Sequence, residues 1–200
     1  MKRFPLLMFL ATLVSFVTIS CDETSEPDEY ANWKERNQFY IDSIAEVADL
    51  NVDGSWLTLK SYKLPADDPS DLTSKRDNND YIYCQILQEG TGETSPIYTD
   101  SVRVHYRGWF INGELLDQSY NGDFDVATCV PVDFALTGVI TGWTTVLQHM
   151  KAGDVWKVHI PYTQAYGKYE TSGVKGYSSL VYWINLVEHS SLGEPMPEWQ

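Results

Sequence analysis

Positive charge is what this chain has little of: fourteen Lys and Arg stand against twenty-eight Asp and Glu, a formal net charge of −14 at pH 7. Binding along a phosphate backbone needs a cationic footprint, so nucleic acid is excluded as a partner. Histidine is sparse as well. His105, His149, His159 and His189 are dispersed without the spacing of a ligand set, so they read as surface or edge residues and no metal is expected. Long hydrophobic runs are missing apart from one, Phe4 to Ile19, which is too short and wrongly flanked for a transmembrane span. There is no internal repeat. Two hundred residues suffice for one sizeable domain with smaller flanking pieces.

That apolar run follows Met1-Lys-Arg and ends at Ser20-Cys21, the three-part layout of a secretory signal peptide. The small residue before Cys21 resembles the bacterial lipobox, although Thr18 stands where Leu is usual. On that resemblance residues 1–20 are a lipoprotein signal peptide and Cys21 carries the lipid. An ordinary cleaved signal is the alternative, and it leaves a cysteine at the end of the run unexplained. Residues 21–29 are acidic and lack apolar side chains, as in a disordered tether that holds a domain off a membrane. The expected location is the bacterial cell envelope, with the outer membrane favoured and the domain in the periplasm or at the surface. Cys84 and Cys129 remain; in an oxidising compartment they are either a disulfide or two free thiols.

Between Glu29 and Leu50, Trp33, Phe39, Ile41, Ile44, Val47 and Leu50 fall mostly at helical spacing, which predicts one amphipathic helix ended by Asn51-Val-Asp-Gly54. Ser55 to Leu64 reads as a short strand, and Pro65 to Asn79 as a polar loop. A domain boundary is expected near Asp80, which makes residues 30–79 a helix and linker, 80–189 the main domain and 190–200 a tail. Beyond the boundary, Val102 to Trp109 alternates apolar and polar residues, the period of a half-buried strand. Asn112-Gly113 is a two-residue hairpin signal, and the returning strand brings Asp117 close to Tyr106. Further strands are predicted at Tyr81–Gln88, Pro131–Leu136, Asp154–Ile160 and Ser179–Glu188, with a short helix at Gly142–Met150 stopped by Ala152-Gly153. This is an α+β domain in which the short helix covers one face of an antiparallel sheet.

Four segments in fixed order, Val102–Trp109, Asn112–Asp117, Thr141-Gly-Trp143 and Ala165-Tyr-Gly167, resemble the signature of the FK506-binding-protein (FKBP) class of peptidyl-prolyl cis-trans isomerases. The resemblance covers roughly Tyr81 to Glu188. It implies an FKBP-like antiparallel sheet wrapped around one short helix, here preceded by the N-terminal amphipathic helix. It also implies an isomerase that assists the folding of exported, proline-containing polypeptides without a cofactor. Rotation about the X–Pro bond breaks no covalent bond but faces a barrier of about 18–20 kcal/mol. Catalysis therefore needs no nucleophile, only a dry aromatic hollow that prefers the twisted amide to its planar ground states.

By the resemblance, Trp143 is the floor of that hollow, with Tyr106, Phe134, Val139 and Ile140 as walls and Leu116, Val132 and Tyr182 contributing to the substrate surface. Tyr106, Asp117 and Tyr166 are the catalytic polar groups. The Ile140 N–H and the Tyr166 hydroxyl would bind substrate carbonyls, and Asp117 would orient groups at the rim. Outside the motif, Trp143 and Phe134 would read as core, Tyr166 as a turn residue and Asp117 as a strand end. Leu116 departs from the usual Phe, Val132 from a common aromatic and Tyr182 from a common Phe. The loops after Gly167 and at Asn121–Val130 also differ, so substrate preference is not inherited. These departures motivate a second reading, a holdase that keeps the scaffold and grips unfolded chains with its hollow and the aromatic-rich segment Tyr30–Tyr40. The helix over residues 30–50 also offers a route to a homodimer.

Overall fold

The longest paired strands set the frame. The structure, a computed structural model, describes residues 28–68, 70 and 76–199; the signal segment and Cys21 lie outside the described residues. Residues 28–31 belong to a separate unit, Met1–Ala31, and make a turn in which Asp28 accepts from the N–H groups of Tyr30 and Ala31. Everything below concerns the second unit, Asn32–Gln200.

Seven strands form one antiparallel sheet: β1 (Trp56–Lys60), β2 (Tyr81–Gln88), β3 (Ser101–Phe110), β4 (Leu115–Gln118), β5 (Val132–Ala135), β6 (Val155–Ile160) and β7 (Leu180–Ser190). The order is β1-β2-β6-β7-β3-β4, and β5 also pairs with β3. β3 lies along β7 from Ser101 to Phe110. Its other edge is divided: Ser101–Val104 pairs with β5, and Arg107–Trp109 with β4. Tyr106 falls in the gap. There Ser119 takes over the role of a partner strand, its N–H donating to the Tyr106 carbonyl at 2.9 Å and its Oγ accepting from the Tyr106 N–H at 2.9 Å.

The β3–β4 hairpin is tighter in sequence than in space. Gly113 donates back to the Phe110 carbonyl, Phe110 donates to Glu114, and the register slips between Gly108 and Trp109. The turn thus has three residues, Ile111 to Gly113, instead of the two expected. Gly113 at φ 88° supplies the left-handed position that a bulged three-residue turn requires.

Two helices cover opposite faces. α2 (Thr141–Leu147) closes the inner face, where alternation places Ile82, Cys84, Val158, Ile160 and Ile184, all fully buried. Gly142 is the point of closest approach, since a Cβ there would stand 2.5 Å from the Ile160 side chain. On the outer face lies α1 (Trp33–Leu50), with Ile41, Ala45 and Ala48 packed against Tyr83. The sheet is therefore covered by helix on both faces. The boundary expected near Asp80 falls between β1 and β2, which pair over five residues inside one compact unit.

The buried stripe of α1 is Trp33, Asn37, Ile41, Ala45 and Ala48, while Phe39, Val47 and Leu50 face solvent. A polar residue sits in the stripe because Asn37 is satisfied twice, donating to the Trp33 carbonyl and accepting from the Ser179 N–H, both at 2.7 Å. The Trp33 indole donates to Ser178 at 2.9 Å. Asn51, in the left-handed conformation at the helix end, exchanges two hydrogen bonds with the backbone of Trp56 and so aligns β1 as it stops α1.

Two histidines contradict the expectation of surface or edge positions. His105 is fully buried beneath Phe124 and Trp199. His159 is sealed by Trp56, stacked at 5.7 Å, and by the Tyr40 hydroxyl, 2.7 Å from its Nδ1. Alternation gave each an outward-facing strand position, but non-local segments cover that face. Among the described residues, Cys84 and Cys129 are both free. Cys84 lies wholly inside the sheet and Cys129 in the surface loop beside Asp125, so the alternative of a bridge falls away.

Burial, reinforced by Lys157, depresses the His159 pKa to about 3. An unfolded histidine takes up its proton near pH 6.5, so between these values the unfolded chain binds more protons than the folded one. Stability is complete above pH 6.5 and drains as pH falls toward 3, with about 2 kcal/mol from this residue lost by pH 5. Urea midpoints at pH 7.5 and pH 5 should show this loss, and His159→Gln, which does not titrate, should lessen it.

Candidate active site

A hollow of about 350 Å³ opens at the gap in the β3 edge, on the face covered by α2. It is lined by Tyr106, Asp117, Phe134, Gly138, Val139, Ile140, Trp143, Tyr166 and Tyr182. Trp143, on the first turn of α2, is nearly buried and meets three rings edge-on: Tyr106 at 5.1 Å, Phe134 at 5.7 Å and Tyr182 at 5.2 Å. Tyr106 also meets Phe134 edge-to-face at 5.8 Å. Each such pair adds about 0.5–1.5 kcal/mol beyond its area, so the wall is stiff as well as apolar.

Several lining residues are held from behind. Thr144 donates from Oγ1 to the Leu136 carbonyl at 2.9 Å, which ties the segment carrying Val139 and Ile140 to the helix carrying Trp143. Tyr182 on β7 lies over Gly108 on β3, where a Cβ would come within 2.3 Å of the Tyr182 ring. Tyr166 follows a 3₁₀ turn, Tyr162–Gln164, whose Thr163 and Gln164 side chains both donate to the Asn79 carbonyl. Gly167 then donates back to Tyr162 at 2.9 Å and closes the loop under Tyr166.

The polar groups cluster on one side. The Tyr106 hydroxyl donates to Asp117 at 2.7 Å, and the other Asp117 oxygen accepts the Gln118 N–H at 2.8 Å. Burial pushes the Tyr106 pKa up, and the Asp117 hydrogen bond adds to the rise. Burial raises Tyr166 and Tyr182 too, with the nearby carboxylate contributing to both. All three phenols keep their protons at neutral pH and act as donors. The site thus offers flat apolar faces, hydroxyl donors and one carboxylate at an open rim, a set suited to binding a peptide segment.

Eight of the residues expected from sequence come together here: Tyr106, Asp117, Phe134, Val139, Ile140, Trp143, Tyr166 and Tyr182. Leu116 and Val132 do not line the hollow. Neighbours on a strand point to opposite faces, so with Asp117 turned toward Tyr106, Leu116 is directed away. Val132 is 37 % exposed, two residues from Phe134, which supplies the ring on that strand. Sequence reading missed Gly138, which its place beside Val139 could have suggested. It also missed Ser119, Thr144 and Gly108, whose roles depend on contacts between distant segments.

Residues 92–187 match the family model of the FKBP-type peptidyl-prolyl cis-trans isomerases. This part of the chain belongs to the FKBP family. The FKBP domain is 38 % identical over 104 residues to the peptidyl-prolyl cis-trans isomerase Mip of Coxiella burnetii, a match covering 52 % of this chain and 42 % of that protein. A longer match, 28 % identical over 182 residues, reaches the macrophage infectivity potentiator of Trypanosoma cruzi and covers 90 % of this chain and 77 % of that one. The solved structure of a peptidyl-prolyl cis-trans isomerase from Pseudomonas syringae superposes with a TM-score of 0.55 at 26 % identity, covering 79 % of this chain and 96 % of that chain. The chain spans less than half the length of the Coxiella protein. The structural likeness supports the α+β architecture of this FKBP domain, an antiparallel sheet with a short helix.

The contact between Gly108 and Tyr182 yields a direct prediction. Gly108→Ala forces the ring out of its seat, and the urea midpoint should report a loss of about 1–3 kcal/mol, the usual cost of overpacking.

Proposed function

We propose that the chain is a peptidyl-prolyl cis-trans isomerase that acts on exported, proline-containing polypeptides without a cofactor. The observation that carries this reading is the Trp143 floor with three rings set edge-on around it. A pyrrolidine fits against the indole, and the hollow strips water from the X–Pro amide. The Ile140 N–H and the Tyr166 hydroxyl bind the flanking carbonyls, so that rotation occurs between fixed ends. The twisted amide has lost its resonance and part of its dipole, which makes it the form that an apolar, dry hollow tolerates best. The Asp117–Tyr106 pair fixes the Tyr106 ring and gives the rim its charge. Related proteins bearing the isomerase name support the same reading.

A protease-free assay of prolyl peptides tests it. The chain should accelerate cis–trans relaxation, and Tyr106→Phe and Asp117→Leu should each lower kcat/KM about tenfold, as expected for losing a charge-assisted hydrogen bond. A folded protein without acceleration sinks the enzyme reading in favour of a holdase. That second reading draws on the solvent-facing Phe39 and Leu50 of α1, which also suit a homodimer through residues 30–50.

Cys21 carries a lipid in this proposal, placing the domain at an envelope membrane. A relative from Legionella longbeachae is named as an outer membrane protein. Labelled palmitate should enter the wild-type chain in a bacterial host, and Cys21→Ser should abolish labelling and release the protein from the membrane fraction.

A further inference from the structure

Three phenols border the hollow, and they are not equally engaged. Tyr106 spends its proton on Asp117. Tyr166, at the rim, is more than a third exposed and has water to bond. Tyr182 is only 4 % exposed, yet it lines the hollow, and among the described residues its hydroxyl has no hydrogen-bond partner. A hydroxyl that lines a hollow without a protein partner is available to a ligand, and a ligand that accepts from it gains a hydrogen bond. The Tyr182 ring cannot swing aside to find a partner, since it is seated over Gly108 and held edge-on by Trp143. At this position the family pattern often has Phe, which offers no donor.

Two candidate acceptors on a bound peptide can be separated by chemistry. A hydrogen bond to the oxygen of the X–Pro amide would strengthen the resonance that keeps the bond planar, and would favour the ground state over the twisted form. A donor there opposes the reaction. An acceptor on the side chain of residue X carries no such penalty. The same hollow holds Asp117, whose carboxylate accepts from Tyr106 and Gln118 and retains lone pairs for another N–H. A hydroxyl donor and a carboxylate acceptor lining one hollow match a carboxamide, whose oxygen accepts and whose NH₂ donates. The carboxylate also repels an acidic side chain.

Resting on the isomerase reading, we propose that Tyr182 is a specificity-determining residue: its hydroxyl donates to the side chain preceding proline and favours Asn or Gln there over aliphatic residues. Asp117 receives the amide N–H of that side chain.

Tyr182→Phe removes one oxygen and keeps the packed ring. Isomerisation of Ala-Gln-Pro-Phe, Ala-Leu-Pro-Phe and Ala-Glu-Pro-Phe is measured for both proteins, alongside calorimetric binding of the same peptides and urea midpoints. The ratio of kcat/KM for the Gln peptide over the Leu peptide should fall about five- to tenfold in the variant, the value of one hydrogen bond to a buried partner. The Leu peptide should lose less than the Gln peptide, and the Glu peptide should be the poorest substrate of the wild type. An unchanged Gln/Leu ratio, or equal losses on both peptides, overturns the assignment. If the wild type binds peptides without accelerating them, the isomerase reading fails alone. The Gln/Leu ratio of calorimetric affinities then decides the role of Tyr182 by the same criterion.

Discussion

The divided edge of β3 is the constraint on which the rest of this domain depends. One ten-residue strand is paired throughout with β7 on one side and shared between β5 and β4 on the other. A strand with two successive partners must leave a gap between them, and its backbone there must be satisfied some other way. Ser119 does this, and the chain is then free to leave the sheet until Pro131. The gap falls at Tyr106, so the break in pairing and the opening of the hollow are one event. α2 adds the floor because Gly142 lets it approach β6 closely enough to bring Trp143 under the same opening.

Much of this was legible in the sequence, for reasons that differ by element. β3 carries a period-2 signal in a long run and stands at Ser101–Phe110, and β2 stands at Tyr81–Gln88, where a strand was expected. The residues around the hollow were reached through ordered motifs rather than through periodicity, because an aromatic residue on a strand looks the same whether it faces a core or a pocket. What sequence reading mistook was decided by distant segments. His105 and His159 occupy outward strand positions, and only the arrival of Phe124, Trp199 and α1 buries them. α1 was recognised as a helix, but its buried stripe was misassigned. Asn37 looks polar until Ser179 is brought to it, and Ala45 and Ala48 look neutral although only small side chains let the helix lie close on Tyr83.

The outer face explains why the domain tolerates polar groups in its interior. Three pairs of its polar residues are matched, Trp33 with Ser178, Asn37 with Ser179 and Tyr40 with His159, whereas among the described residues both ring nitrogens of the buried His105 lack a partner. Arg103 joins Asp133 and Glu188 and also donates to the Pro197 carbonyl, which draws the end of the chain back across β3. These links specify where α1 and the tail rest, a task that interchangeable apolar contacts do less well. The hollow on the inner face uses the opposite strategy, with rings locked against rings and its polarity confined to one side.

The seat of Tyr182 over Gly108 carries a consequence for how this site can change over time. The two positions lie directly opposite on paired strands, and the space above the glycine is the space the ring occupies. A lineage that enlarges residue 108 must first shorten residue 182, and one that shortens 182 opens a void behind the Trp143 indole until 108 fills it. The two residues therefore change together or hardly at all, and the chemistry at the base of the hollow is inherited as a pair.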